Sequence, residues 1–292
     1  MIVHAKDRQF RLGIIGDLHT HWDEVDVAQF AGLDYDLLYF TGDLGGGTQD
    51  SCLRMARGMA GLRQPTLVMP GNNDTVDIDQ LAAELAHQDG LNQLMAMAGD
   101  NAPAEPIILC GYSRHSIHMG DSDVDLIAAR PHSMGGPQLS FPDYMSTTYG
   151  ISDMEASARR LTQLVDESTA DTLLFLAHNG PLGLGEHPDA MWGCDFKDDG
   201  GDWGDPDLTI AIEHARAAGK KVLAVIGGHM HLRTKRGELR PWMTERDQTM
   251  YINAARVPRI FSGDDDVYRH HVSVTISPGG IEAEEVLLPQ YG

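Results

Sequence analysis

Nowhere in the 292 residues is there an apolar run of the ~18 positions that a membrane-spanning helix needs, so no span is predicted. Basic residues are scarce: 22 Lys and Arg stand against 43 Asp and Glu, a formal charge of −21. A surface of that sign repels a polyphosphate backbone, so long DNA or RNA is not an expected partner. A small phosphorylated substrate remains compatible, because bound divalent cations dominate the field inside a single pocket. Cysteine is scarce too. Cys52, Cys110 and Cys194, the three present, are odd in number and far apart, which argues against a zinc knuckle or a disulfide framework. Met1 to Phe10 carries His4, Lys6, Asp7 and Arg8 in place of an uninterrupted apolar core, so no secretory signal is read and a cytoplasmic location is expected.

What is present is enough apolar material, 42% of residues, to bury a large core, and residues 1–292 are read as one α/β domain. Three times in the first third a short apolar run is followed by Gly with an acidic or amide residue, then by helical periodicity. The runs are Leu12 to Ile15, Leu37 to Phe40 and Thr66 to Met69. Their nearly continuous apolar character suits strands of a sheet covered on both faces. Ile107 to Cys110 and Val124 to Ala129 read as the start of a second sheet. Leu173 to Leu176 and Val222 to Ile226 read as further buried strands. Ser152, with Glu155 three positions later, predicts a capping box opening a helix. Between Leu182 and Gly204 the Gly and Asp content predicts an irregular loop. Asp205-Pro206 then starts a helix, with Asp205 as cap, running to about Ala218. A calcium-loop reading of Asp198, Gly200 and Asp202 fails, since the required Gly and Glu do not follow.

Five segments at or just beyond these strand ends together carry a full set of metal ligands, in the place where open α/β sheets put their ligands. They are Gly16-Asp17-Leu18-His19, Gly42-Asp43-Leu44-Gly45, Gly71-Asn72-Asn73-Asp74, Ala177-His178-Asn179-Gly180-Pro181 and Gly228-His229-Met230-His231. Asp17 and His19 alternate, as do His229 and His231, so each pair projects from one side of an extended segment. The mixture of imidazole, carboxylate and amide suits Mn, Fe or Zn better than Mg alone.

In this order and spacing the five segments resemble the calcineurin-like metallophosphoesterase superfamily, from about Leu12 to His231. The resemblance implies a four-layer α-β-β-α sandwich of two packed mixed sheets and two divalent metal ions, with Mn the first expectation. It further implies that Asp17, His19, Asp43 and His231 bind one ion, that Asp43, Asn72, His178 and His229 bind the other, and that Asp43 bridges them. In such sites a shared water whose pKa falls toward ~7 becomes hydroxide and attacks phosphorus in line. Asp43, His178 and Asn73 are the catalytic candidates.

The sequence also departs from the family. Many members carry His after the ligand Asn; here Asn73 donates a hydrogen bond but delivers no proton, which favours diesters or activated monoesters. The protein Ser/Thr phosphatase branch has an Asp and an Arg soon after the bridging Asp, where this chain has Gly45-Gly46-Gly47, so a phosphoprotein phosphatase is disfavoured. Arg130, Arg233, Asn73 and Asn179 are the candidate substrate contacts. Asp125 to Pro131 and Gly200 to Asp207 are similar to a subgroup found in cyanobacteria and plastids; the second stretch reads as a lid offering Trp203 as a stacking surface, with the simpler alternative that Trp203 anchors the loop onto the core. His21 reads as a helix-start residue, and Met95 and Met97 as core filler. The alternative from another class is a metal-binding scaffold of the same fold without turnover. Oligomeric state is not encoded in any of these features.

Overall fold

A computed structural model describes residues 1–5, 8–86, 107–120, 122–198 and 200–291, which leaves Met95 and Met97 outside the described residues. The strands are β1 (Ile2–His4), β2 (Phe10–Ile15), β3 (Leu37–Phe40), β4 (Thr66–Val68), β5 (Ile107–Leu109), β6 (Ser113–Met119), β7 (Ser122–Ala128), β8 (Thr172–Leu176), β9 (Lys221–Gly227), β10 (Met243–Arg246), β11 (Thr249–Asn253), β12 (Ile260–Ser262), β13 (Val267–Ser277) and β14 (Gly280–Pro289). The helices described are α1 (Glu24–Ala31), α2 (Gln49–Met59), α3 (Ile78–Ala86), α4 (Pro142–Tyr149), α5 (Met154–Asp166) and α6 (Pro206–Ala217). One sheet runs in the order β12-β13-β2-β3-β4-β5, with β14 added on β13, and the other in the order β1-β6-β7-β8-β9-β11-β10.

Alternation of side chains across each strand divides the apolar residues among three cores. Leu12, Ile14, Leu37 and Tyr39 of the first sheet meet Leu126, Leu174, Leu176 and Ile226 of the second in the space between the sheets. The neighbours that point the other way, Leu38, Phe40 and Val68, pack under Phe30, Ala56, Met59 and Leu81 of α1 to α3. Leu173, Phe175 and Val225 likewise pack under Leu161, Leu164, Leu208 and Ile212 of α5 and α6. The result is the four-layer α-β-β-α sandwich, each fully buried Leu, Ile or Phe contributing roughly 1.5–3 kcal/mol. No helix among the described residues is long and apolar enough to cross a membrane.

Three local expectations shift. β5 pairs in parallel with β4 through Thr66 and Ile107, so it closes the first sheet; the second sheet is instead joined at β1, which pairs with β6. The cap of α5 is Asp153, whose carboxylate accepts from the Ala156 N–H at 2.7 Å; Ser152 donates to that carboxylate instead of capping. A carboxylate one position later is the stronger acceptor for the orphan amides. Asp205 does precede α6, but its side chain makes no capping bond, because it is engaged by Arg130, described below.

Strands β2, β3 and β4 are mutually parallel, as are β8 and β9. Their C-terminal ends deliver the five polar segments, from Gly16 to Gly228, to one edge of the sandwich.

Candidate metal centre

Two groups of ligand atoms converge there: Asp17, His19 and His231 form one, and Asp43, His178 and His229 the other, the atoms of each lying within 4.8 Å of one another. Asp43 faces both. Its Oδ2 lies 3.5 Å from His19 Nε2, and its Oδ1 lies 3.6 Å from His178 Nε2. Asn72 Oδ1 stands 2.9 Å from His178 Nε2, and the Nε2 atoms of His19 and His231 are 3.0 Å apart.

The backbone is bent to achieve this. His19, Asp43 and His229 have φ of 41°, 49° and 66°, a left-handed region that L-residues enter at a cost of about 1–3 kcal/mol and that gathers at functional sites. The glycines before the ligands clear space for a ligand from another strand as much as they permit a turn. A Cβ on Gly71 would lie 2.3 Å from Asp43 Oδ1, and one on Gly228 would lie 2.3 Å from Asp17 Oδ1.

A second layer of bonds orients Asp17 and Asp43. Thr41 donates its hydroxyl to Asp17 Oδ1 at 2.8 Å, and the His229 N–H donates to Asp17 Oδ2 at 3.0 Å. Asn73 donates from its backbone to Asp43 Oδ1 at 2.8 Å and from its side chain to Oδ2 at 2.7 Å, so its amide orients Asp43. Asp74 accepts from the N–H groups of Leu44 and Gly71, tying two ligand loops together.

These residues fit a pair of divalent cations. His178 Nδ1 faces the Thr41 carbonyl at 2.8 Å, so it carries a proton, and burial is outweighed by the charges of Asp43 and Asp17, which raise the pKa of His178; a divalent cation would replace the Nε2 proton beside the oxygens of Asn72 and Asp43. The imidazole, carboxylate and amide donors gathered here are the set that such a cation takes. Burial, the largest influence on His229, together with the nearby His178, lowers its pKa to about 4, leaving it neutral as a ligand must be. Burial alone would raise Asp43, but His178, His229 and the Asn73 bond outweigh it and hold the carboxyl below its usual range.

The centre opens into a cavity of about 350 Å³ that is also lined by Asp195, Phe196, Arg233 and Lys235. Asp17, His19, Asp43, Asn72, Asn73, His178, His229 and His231 thus come together, with Arg233 beside them. Two other expected substrate contacts do not. Arg130 is 1% exposed and lies between Asp205 and Asp207, so its assignment to substrate is corrected to a buried ion pair. Asn179, 0% exposed, donates to the Trp203 carbonyl and to Asp205 and is likewise removed from the substrate contacts. Trp203 is no free stacking surface: its Nε1 donates to the Met134 carbonyl, Lys197 Nζ sits 3.8 Å over its ring, and Gly135 and Gly136 press close against the indole. His21 Nδ1 lies 3.2 Å from the nearby Leu18 carbonyl.

Sequence reasoning gave no role to His132, buried with Nδ1 on the Gly71 carbonyl, nor to Phe196 and Lys235. Asp74 had a signal, since it completes a ligand segment; the others belong to no periodic pattern.

The family described as calcineurin-like phosphoesterase matches residues 10–233 of the chain. No curated protein sequence matches it. One solved crystal structure has a TM-score of 0.56 at 11% identity, covering 95% of this chain and 99% of the other. The crystal structure of TT1561 of Thermus thermophilus has a TM-score of 0.50 at 10% identity, covering 94% of this chain and 98% of that one. At such identities the likeness is one of fold.

Proposed function

Because the chain belongs to the calcineurin-like phosphoesterase family, we propose that it hydrolyses a phosphate ester of a small molecule or nucleotide with the aid of two divalent cations. The substrate is a diester or an activated monoester. The observation that carries this reading is the placement of the two oxygens of Asp43, one toward His19 and the other toward His178, the disposition of a bridging carboxylate.

Asp17, His19, His231 and Asp43 would hold one cation, and Asp43, Asn72, His178 and His229 the other; Mn is the first candidate, with Fe and Zn also suited to these donors. When bound, the pair supplies Lewis acidity, lowering the pKa of a shared water toward ~7 and offsetting charge on the phosphoryl oxygens. The protein's own groups do the rest. Thr41 and the His229 N–H keep Asp17 in place, Asn73 keeps Asp43 in place, and the Thr41 carbonyl sets the His178 tautomer. Arg233 and Lys235, cations in a chain of formal charge −21, attract the anionic substrate to this cavity. Asn73 has no proton to give a leaving oxygen, which is why esters with good leaving groups are the expected substrates.

The test strips the protein with chelator, restores Mn, Zn or Mg separately and compares matched aryl phosphate monoesters and diesters. Restored hydrolysis is expected, with the diester at least as fast as the monoester. Two ions bound per chain with no hydrolysis under any metal would refute the reading and favour a scaffold.

A further inference from the structure

Phe196 is 41% exposed and lines the cavity of the metal centre, an arrangement that needs a reason in a loop otherwise rich in Gly and Asp. Its position is fixed in relation to the ligands. Asp195, the residue before it, accepts from the Lys235 N–H at 2.6 Å and pairs with Arg240 Nη2 at 3.1 Å. Arg240 in turn donates to the carbonyl of the ligand His231 at 3.1 Å and to the Ala190 carbonyl at 2.7 Å. The loop bearing Phe196 is thereby clamped to the segment bearing His231. Trp203 meets the Phe196 ring edge-on at 5.5 Å between centroids, and Lys235 Nζ lies 5.7 Å from its centroid. An aromatic ring held in advance, in the same cavity as Arg233 and Lys235, is a surface on which a flat group stacks at little cost in ordering.

We infer that Phe196 is the platform for the leaving group, and that the substrate is a phosphoester whose leaving group carries a planar aromatic ring, a nucleobase or an aryl group. Its phosphate lies at the metal centre beside Arg233 and Lys235, and its ring lies against Phe196. Trp203, with its indole covered by Lys197, Gly135 and Gly136, supports Phe196 from the edge and takes no ring itself. This inference rests on the phosphoesterase reading of the same centre.

Stable phosphonates separate binding from turnover. On Mn-loaded protein, calorimetric affinities of methylphosphonate, phenylphosphonate and the phosphonate analogue of adenosine 5′-monophosphate, with CH2 in place of the 5′-oxygen, are compared between wild type, Phe196→Ala and Phe196→Tyr. At least one ring-bearing ligand should bind about tenfold tighter than methylphosphonate to wild type, the scale of one ring stacked on an aromatic side chain. That preference should fall toward unity in Phe196→Ala and persist in Phe196→Tyr; preference for the adenosine or the phenyl ligand identifies the source of the ring. Circular dichroism on each variant verifies that it is folded. Equal affinity for all three ligands in wild type, or a preference unchanged by Phe196→Ala, overturns the inference. Those results leave metal-restored hydrolysis of aryl esters intact, so they are distinct from a failure of the phosphoesterase reading, which shows as no hydrolysis at all.

Discussion

Asp205 and Asp207 are as deeply buried as Asp17 and Asp43, all at 2% exposure or less, yet the two groups are neutralised in different ways. Arg130 Nη2 lies 2.8 Å from Asp205 Oδ1 and Nε 3.0 Å from Asp207 Oδ2, and Ser133 and Ser157 donate to the same carboxylates. The protein supplies its own cation there. Asp26 is handled alike, between Arg259 and Arg269 at 2.7 Å each. The ion-pair partners of Asp17 and Asp43 are imidazoles 3.5 to 3.8 Å away, beyond hydrogen-bond length. Where a guanidinium closes the cluster the result is architecture; where imidazoles stand back around an open cavity the result is a place that suits cations from outside.

The largest test of that contrast is Asp43→Asn. Hydrolysis should fall on the order of 10³-fold, the several kcal/mol that the bridged cations contribute to the transition state. Without metal the variant should melt no higher than wild type, because the folded site holds the Asp43 carboxyl below its usual range and so favours the charge that the variant lacks. Wild type should gain about 2.7 kcal/mol from metal at a hundred times its Kd, and the variant less. Assays with and without Mn, paired with thermal melts, read both effects; a variant with wild-type rate breaks the contrast. Arg130→Met should behave in the opposite sense. It strands two buried carboxylates, so stability should fall by about 3–5 kcal/mol whether or not metal is present, while KM for any substrate stays near that of wild type. A raised KM with unchanged stability would return Arg130 to the substrate.

The residues that converge at the candidate metal centre were legible because their signal is local. Asp17 with His19, and His229 with His231, alternate within four residues of a strand end, and the apolar runs before them are explained by burial on both faces. Arg130 carried no such signal. Its partners are 75 and 77 residues away, so in the sequence it was an unpaired cation next to a strand. The sheet to which Ile107 to Leu109 belongs was hidden for the same reason, since membership is settled by pairing with β4 across the fold. Phe196 was obscured by its loop: it reaches the cavity through the long-range tie of Asp195 to Arg240. The cap of α5 was missed by one residue because Ser152 and Asp153 both suit the position, and only geometry chooses between them.

The smallest effect concerns the Arg130 cluster alone. One guanidinium faces two carboxylates, so a net negative charge is buried there. Burial, the largest influence on Asp205, and the charge of Asp207 prevail over Arg130 and raise its pKa to about 6 from the usual 3.8. A carboxyl with a raised folded-state pKa holds its proton more tightly in the native protein than in the unfolded chain. Its contribution to stability is therefore fully present below about pH 4 and is lost as pH rises through about 6. Between pH 5 and 6 the slope is at most ~1.4 kcal/mol per pH unit. Other carboxyls, Asp23, Asp125 and Glu285 among them, are lowered and push the total the other way, so the difference between wild type and Asp205→Asn isolates this one. Melting temperatures of both proteins, measured without metal from pH 4.5 to 7, should show wild type losing stability relative to the variant as pH rises. Parallel curves would mean that Arg130 leaves both carboxylates ionised throughout, and that its cluster is as fully compensated as the one around Asp26.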